Sequence, residues 1–239
     1  MADVVDRLFS RGGVWIALWV VLVALAFGFD DVTTAVFPRI SGGGDIQREL
    51  EVLGQWGQFS SLVIVGVCMA RLQPGRWRRL LDLGLAALVV WFCMLLLKAL
   101  VGRVRPKHDL PYAFDGWLVS AGEVPASLGS YDLSSFPSSH TSGAVVLSLF
   151  IALCWPRLSI FALVMAILVG FSRITFDAHW LSDVLVGATV GFLLGYPLMR
   201  YFCGVRLLDW VWRSVIDRNA TPALPELIKE EERLQSRSA

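Results

Sequence analysis

Long apolar runs separated by short charged segments recur along this chain, and no other feature limits its fold so strongly. Crossing a bilayer as a helix takes roughly 20 mainly apolar residues. The candidate runs are 13–29, 54–70, 81–101, 141–155, 158–172 and 181–203. The fourth and fifth are short, and only Pro156 and Arg157 separate them, as in the turn of a tight helical hairpin. A spanning helix satisfies its own backbone hydrogen bonds, so the runs predict an all-α fold, an integral-membrane six-helix bundle. Composition agrees: 56% of the residues are hydrophobic and 17% charged, where a soluble domain carries about 25% charged residues. The net charge of +1 leaves no basic surface for a nucleic-acid partner. The expected surroundings are a lipid bilayer, and the abundant Trp and Phe suit its interfaces.

Arg7 and Arg11, the apolar run and Ala24-Leu25-Ala26 resemble a signal peptide with its cleavage site. The run continues through Phe29, which favours a retained helix. Short loops rich in Lys and Arg stay in the cytoplasm. The N-terminal segment, the 71–79 loop (Arg71, Arg76, Arg78, Arg79) and the tail after Arg200 fall on one side under six spans. Both termini are then expected inside. The acidic 30–53 loop, with Asp30, Asp31, Asp45, Glu49 and Glu51, is expected outside. A plasma membrane of bacterial type is the expected location. Residues 1–204 read as the membrane domain and 205–239 as a cytoplasmic tail. Within that tail 205–218 has the pattern of a helix lying on the membrane, and 219–239 reads as polar and frayed. The four cysteines, Cys68, Cys93, Cys154 and Cys203, have no CxxC spacing and read as packing residues.

One cluster breaks the charge rule. Lys98, Arg103, Arg105 and Lys107 gather at the expected outer end of the third run, and Arg173 at that of the fifth. An anionic ligand on that face is the simplest explanation. The local patterns fit one. Lys98-x6-Arg105-Pro106 follows a membrane helix; taken alone it reads as snorkelling side chains. In Phe136-Pro137-Ser138-Ser139-His140-Thr141 a serine can cap the fourth helix with His140 in its first turn, where free N–H groups favour phosphate; taken alone it is a plain cap. In Ser172-Arg173-x5-His179-x3-Asp183, the histidine and carboxylate stand i and i+4 on one helix face. The carboxylate can accept the Nδ1–H and leave Nε2 free as a nucleophile. Arg173 offers a planar fork for phosphate oxygens; the bland alternative is a surface His–Asp pair. Under six spans all three segments fall on the same membrane face, which makes three coincidental features improbable. His108 has no partner in these patterns and reads as a residue of the outer loop, 107–135, whose aromatic residues suit either an interfacial flap or a loop resting on the bilayer.

Together the three segments resemble the signature of the type-2 phosphatidic-acid phosphatase and vanadium haloperoxidase superfamily: Lys-x6-Arg-Pro, Pro-Ser-Gly-His and Ser-Arg-x5-His-x3-Asp. The first and third match at every position; in the second, Ser139 stands where the family has Gly. The resemblance implies a phosphatase without metal or cofactor that works through a phosphohistidine. It implies that His179 attacks phosphorus, that Asp183 orients it and that His140 protonates the leaving oxygen and then activates water. Lys98, Arg105, Ser138, Ser139 and Arg173 would hold the phosphate. No residue cluster has metal-ligand spacing, and charge stabilisation is what phosphoryl transfer needs most.

The expected substrate is a membrane lipid phosphate: an isoprenoid diphosphate, phosphatidylglycerol phosphate, phosphatidic acid or a lipid A phosphate. Discharge of the same phosphohistidine onto a lipid or sugar hydroxyl would make the chain a phosphotransferase, and the motifs do not separate the two. A vanadium haloperoxidase is disfavoured because those relatives are typically soluble. A transporter is disfavoured because the first two runs have no ionisable residue in their interiors. A non-catalytic lipid-binding relative would be expected to lose His140, His179 or Asp183. Nothing in the sequence sets an oligomeric state.

Overall fold

The computed structural model describes residues 12–40 and 44–238. Arg7 and Arg11 lie outside the described residues. Helix α1 (Gly12–Gly28) bends by 66° into α2 (Asp30–Ile40). Helices α3 (Gly44–Leu53), α4 (Phe59–Leu72) and α5 (Arg79–Val101) follow. After a long loop with a small antiparallel hairpin, β1 (Phe114–Asp115) and β2 (Ser120–Ala121), come α6 (Ser139–Cys154), α7 (Ser159–Thr175) and α8 (Leu181–Arg200). Helices α9 (Cys203–Val215) and α10 (Leu224–Ser238) come last among the described residues.

The fold is all-α, but the expected six-helix transmembrane bundle is not formed. Among the described residues three segments are long and apolar enough to cross a bilayer: Arg79–Val101, Pro156–Thr175 and Leu181–Arg200. The bent pair α1–α2 makes a fourth only if counted as one span. Helices α4 and α6 have 14 and 16 residues. At 1.5 Å per residue they reach only about 21 and 24 Å, against a hydrocarbon core of about 30 Å. Much of α6 is covered by protein, since Ala144, Val146, Leu147, Phe150, Ile151 and Cys154 are all buried. An apolar run shows that a segment avoids water; it does not show whether lipid or protein covers it. By contrast α5 presents Leu88, Trp91, Phe92, Leu95 and Leu96 outward, and α7 presents Ile160, Leu163, Val164 and Ile167.

The core lies between α5, α6 and α8, built on Leu83, Ala86, Val90, Met94, Leu147, Phe150 and Met199. Close approach of α8 to α6 sets the positions of the motif residues. A Cβ on Gly187 would lie 2.4 Å from the Ser138 carbonyl oxygen, so only glycine allows this crossing. Gly102 ends α5 in the left-handed conformation (φ 60°) and donates its N–H to Lys98 O. The chain there leaves the helix and bonds the long loop, with the Val104 N–H donating to Ala113 O and the Arg105 N–H to Asp132 O. The hairpin closes over that end: Trp117 N–H donates to Ala99 O and Leu118 N–H to Leu100 O, with both side chains exposed.

At the opposite end, the tail is folded rather than frayed. Helix α10 returns to the 73–79 turn, where Glu231 pairs with Arg76 at 2.6 Å, and Leu227 is buried beside Val205 and Ala223. Helix α9 forms where an amphipathic helix is expected and leaves Trp210, Trp212 and Val215 exposed. The four cysteines are free thiols.

Candidate active site

Helix ends deliver the three motif segments to one place. Lys98 comes from the last turn of α5, Arg105 from the chain just after it, and Ser138, Ser139 and His140 from the start of α6. Arg173 comes from the last turn of α7, and His179 and Asp183 from the entry to α8. Lys98 Nζ donates to the Ser134 carbonyl. Arg105 donates to Ala178 O at 2.6 Å and Tyr131 O at 2.9 Å, beneath the Tyr131 ring. Residues 131–135 of the long loop thus hold both cations against the segment carrying His179.

His179 is almost fully buried. Its Nδ1 lies 2.7 Å from the carbonyl oxygen of Ser135. A carbonyl only accepts, so Nδ1 carries the proton and Nε2 is free. The expected direct bond to Asp183 is absent: that carboxylate stands 3.8 Å away. Asp183 instead takes the Ser135 hydroxyl at 2.5 Å and the Trp180 N–H at 3.0 Å on Oδ2. Asp183 is thus linked to the imidazole through Ser135, a residue outside the sequence motifs. Burial pushes the His179 imidazole down to about 4, with Lys98 and Arg105 adding to the effect against Asp183. His140 is pushed down to about 3, first by burial and then by Arg173, His179, Lys98 and Arg105. The two histidines and three cations of the predicted set therefore share one electrostatic field.

Ser138 is the N-cap of α6: its hydroxyl accepts from the Thr141 N–H and hydroxyl, and its own N–H donates to Asp183 O. Ser138 thus has a structural task linking α6 to α8. Ser139 begins the helix and is not among the residues with positive φ. Its side chain therefore costs the backbone nothing. The N–H groups of a first helical turn lack intrahelical acceptors and favour an anion. Arg173 is steadied by the Ser172 hydroxyl at 3.2 Å and abuts Gly54, where a Cβ would lie 2.2 Å from Nη2. Gly54 is a second residue that sequence reasoning missed; its contact joins segments far apart in the chain.

His108 contacts Asp132 at 3.0 Å, and Lys107 pairs with the same carboxylate at 2.5 Å. Arg103 was only one of several misplaced cations in the sequence. In the structure it is fully buried and bonds Asp183 at 2.8 Å. Among the described residues no three His, Cys, Asp or Glu side chains converge as a metal ion would need.

Residues 79–205 match the model of the PAP2 superfamily. A lipid A 1-phosphatase of Rhizobium etli is 31% identical over 46% of this chain and 45% of its own length. A lipid A 1-diphosphate synthase of Escherichia coli K12 is 29% identical over 52% of each chain. This chain spans about half the length of these curated relatives. The crystal structure of a transmembrane PAP2-type phosphatidylglycerolphosphate phosphatase from Bacillus subtilis aligns with a TM-score of 0.50 at 22% identity. That alignment covers 79% of this chain and 93% of the other, and shows a shared fold.

Proposed function

We infer the activity of this chain from one premise: it belongs to the PAP2 superfamily. It is an integral-membrane phosphatase acting on a lipid phosphate, monoester or diphosphate, without a metal. The observation that supports this reading is the locked imidazole of His179, with Nδ1 held by Ser135 O and Nε2 left free in a field of cations. In the proposed mechanism Nε2 attacks phosphorus as the bond to the leaving oxygen breaks, and His140, which takes up a proton when the bound phosphate offsets the surrounding cations, gives that proton to the leaving oxygen. His140 then takes a proton from water, whose oxygen bonds phosphorus while the phosphorus–nitrogen bond breaks. Lys98, Arg105, Arg173 and the N–H of Ser139 hold the phosphate oxygens, with Ser138 fixing the helix start that presents them. Developing charge meets groups already in place, which is where most of the acceleration in such reactions arises.

The membrane domain is assigned to 1–204 and the cytoplasmic tail to 205–239. The site is assigned to the extracytoplasmic face, because Arg71, Arg76, Arg78, Arg200 and Arg206 gather at the opposite helix ends. A phosphotransferase is the second reading, supported by the similarity to a diphosphate synthase. The test is phosphate release by purified protein in detergent, with and without an acceptor lipid. The panel is an isoprenoid diphosphate, phosphatidylglycerol phosphate, phosphatidic acid, lipid A and a soluble phosphate ester, with His179→Ala as the blank. Free phosphate from one of the lipids is the expected result. No lipid cleaved above the blank would overturn it, and phosphate passed to the acceptor would select the second reading.

A further inference from the structure

Beside the site, two carboxylates share one guanidinium out of contact with water. Asp30, Arg103 and Asp183 are all fully buried. Arg103 donates from Nη2 to Asp30 Oδ2 at 2.8 Å and from Nη1 to Asp183 Oδ1 at 2.8 Å. Ser182 closes the ring. Its N–H and hydroxyl donate to Asp30 at 3.0 and 2.6 Å, and the hydroxyl accepts from Arg103 at 2.7 Å. The guanidinium also donates to Pro111 O and stands 5.1 Å from the ring centres of Phe27 and Trp180.

Stability alone does not account for such a cluster, because an apolar replacement of similar volume avoids the cost of stripping water from three charges. A carboxylate at the break of an apolar helix pair calls for a functional reason. Asp30 lies outside both the motifs and the matched stretch 79–205. We propose that Asp30 and Arg103 are positioning residues for the nucleophile, acting through Asp183 and Ser135 on His179. The proposal rests on the reading of His179 as the attacking group.

The reasoning is geometric. Asp183 spends Oδ1 on Arg103 and Oδ2 on Ser135 and Trp180. Because Asp30 draws on the same guanidinium, Arg103 neutralises Asp183 only in part. Asp183 thereby stays a strong acceptor for the Ser135 hydroxyl, and Ser135 keeps its carbonyl on the His179 Nδ1–H. With Asp30 neutral, Arg103 pairs with Asp183 alone and one negative charge leaves the region. The groups acting on His179 are Lys98 on α5, Arg105 after it, His140 on α6 and Asp183 on α8, and Arg173 on α7 acts on His140. All but Asp183 are cationic or neutral, so losing negative charge makes the imidazole harder to protonate and a poorer nucleophile.

The experiment compares Asp30→Asn with wild type in kcat, KM, vanadate affinity and the pH profile of kcat/KM. Expected are a fall in kcat of about thirtyfold, KM and vanadate affinity within about threefold, and an acid limb displaced to lower pH by about half a unit. Arg103→Gln should lower kcat as well, and the double variant should be little worse than Arg103→Gln, because both act through one relay. A purely structural role would scale activity down equally at every pH, and that result, or wild-type kcat, overturns the proposal. If Asp30→Asn does not fold, Ser182→Ala removes the bridging hydroxyl at unchanged charge; unchanged kcat there overturns it equally. Wild-type enzyme quenched during turnover supplies the separating control. Absence of phosphate on His179 sinks the nucleophile reading, whereas its presence beside an unmoved acid limb sinks only the role of Asp30.

Discussion

His179 donates its Nδ1–H to the carbonyl oxygen of Ser135 at 2.7 Å. A backbone carbonyl only accepts, so the tautomer that exposes Nε2 is fixed as long as Ser135 is held in place. The carboxylate acts one step removed, on the Ser135 hydroxyl at 2.5 Å. Removing His179 should therefore abolish turnover. His179→Ala should lose activity by about a thousandfold or more, and rapid denaturation of wild type should trap acid-labile phosphate on His179 and none on His140.

Acid should inactivate the enzyme later than an ordinary histidine would imply. An attacking imidazole must be neutral, and in the proposed mechanism that group is His179, which is held down to about 4 by burial, with Lys98 and Arg105 adding to it. A group with a lowered value stays neutral until pH falls through that value. The acid limb of kcat/KM should thus lie near pH 4 rather than near the ordinary value of about 6.5. A limb at the ordinary value would show that His179 is exposed to solvent.

Binding of an anion should bring a proton with it. His140 is held down to about 3 by burial and by Arg173, His179, Lys98 and Arg105. A phosphate or vanadate among those cations offsets their charge, favours the imidazolium and raises the value. Calorimetry of vanadate binding in buffers of different ionisation enthalpy should therefore register proton uptake near neutral pH. EDTA should leave activity unchanged; loss on chelation with recovery on adding Mg²⁺ would contradict the metal-free mechanism.

Ser139 should tolerate glycine. It opens α6 without positive φ, so glycine relieves no strain and only the hydroxyl is lost. Ser139→Gly should keep activity within about tenfold, or roughly 1.4 kcal/mol in the barrier. Ser139→Val sets branched apolar bulk against the phosphate and should cost more. Complete loss in the glycine variant would make the hydroxyl essential.

Gly54 should matter for binding more than for folding. A Cβ there would meet Arg173 Nη2 at 2.2 Å, the far end of a flexible side chain. Gly54→Ala should displace the guanidinium and raise KM by about tenfold, while Tm moves by only a few degrees. Unchanged KM would remove Arg173 from the phosphate site.

Orientation is open to direct labelling. Position 115 lies on the hairpin beside the site, and position 75 in the turn at the other end; both are exposed. In a background lacking the four native cysteines, Asp115→Cys should react with an impermeant thiol reagent in intact cells or spheroplasts. Gly75→Cys should not. The reverse pattern would place the site in the cytoplasm.

What the sequence determined by itself was local. His179 and Asp183 stand i and i+4, Ser138 precedes a helical run, and Lys98 and Arg173 end two others. Spacing along a helix and the unpaired groups at its ends follow from a few consecutive residues, so that part of the candidate site could be read directly. The tertiary structure decided which partners those residues meet and what covers each apolar run. Asp30 and Ser182 are 152 positions apart and touch only because α1 bends by 66° into α2. Gly54 meets Arg173 only where the turn before α4 crosses the end of α7. The apolar run of α6 reads like a span, yet it is a short helix largely enclosed by its neighbours. Hydrophobicity records transfer out of water and is blind to whether lipid or protein receives the side chain, and that choice belongs to the packing of the whole chain.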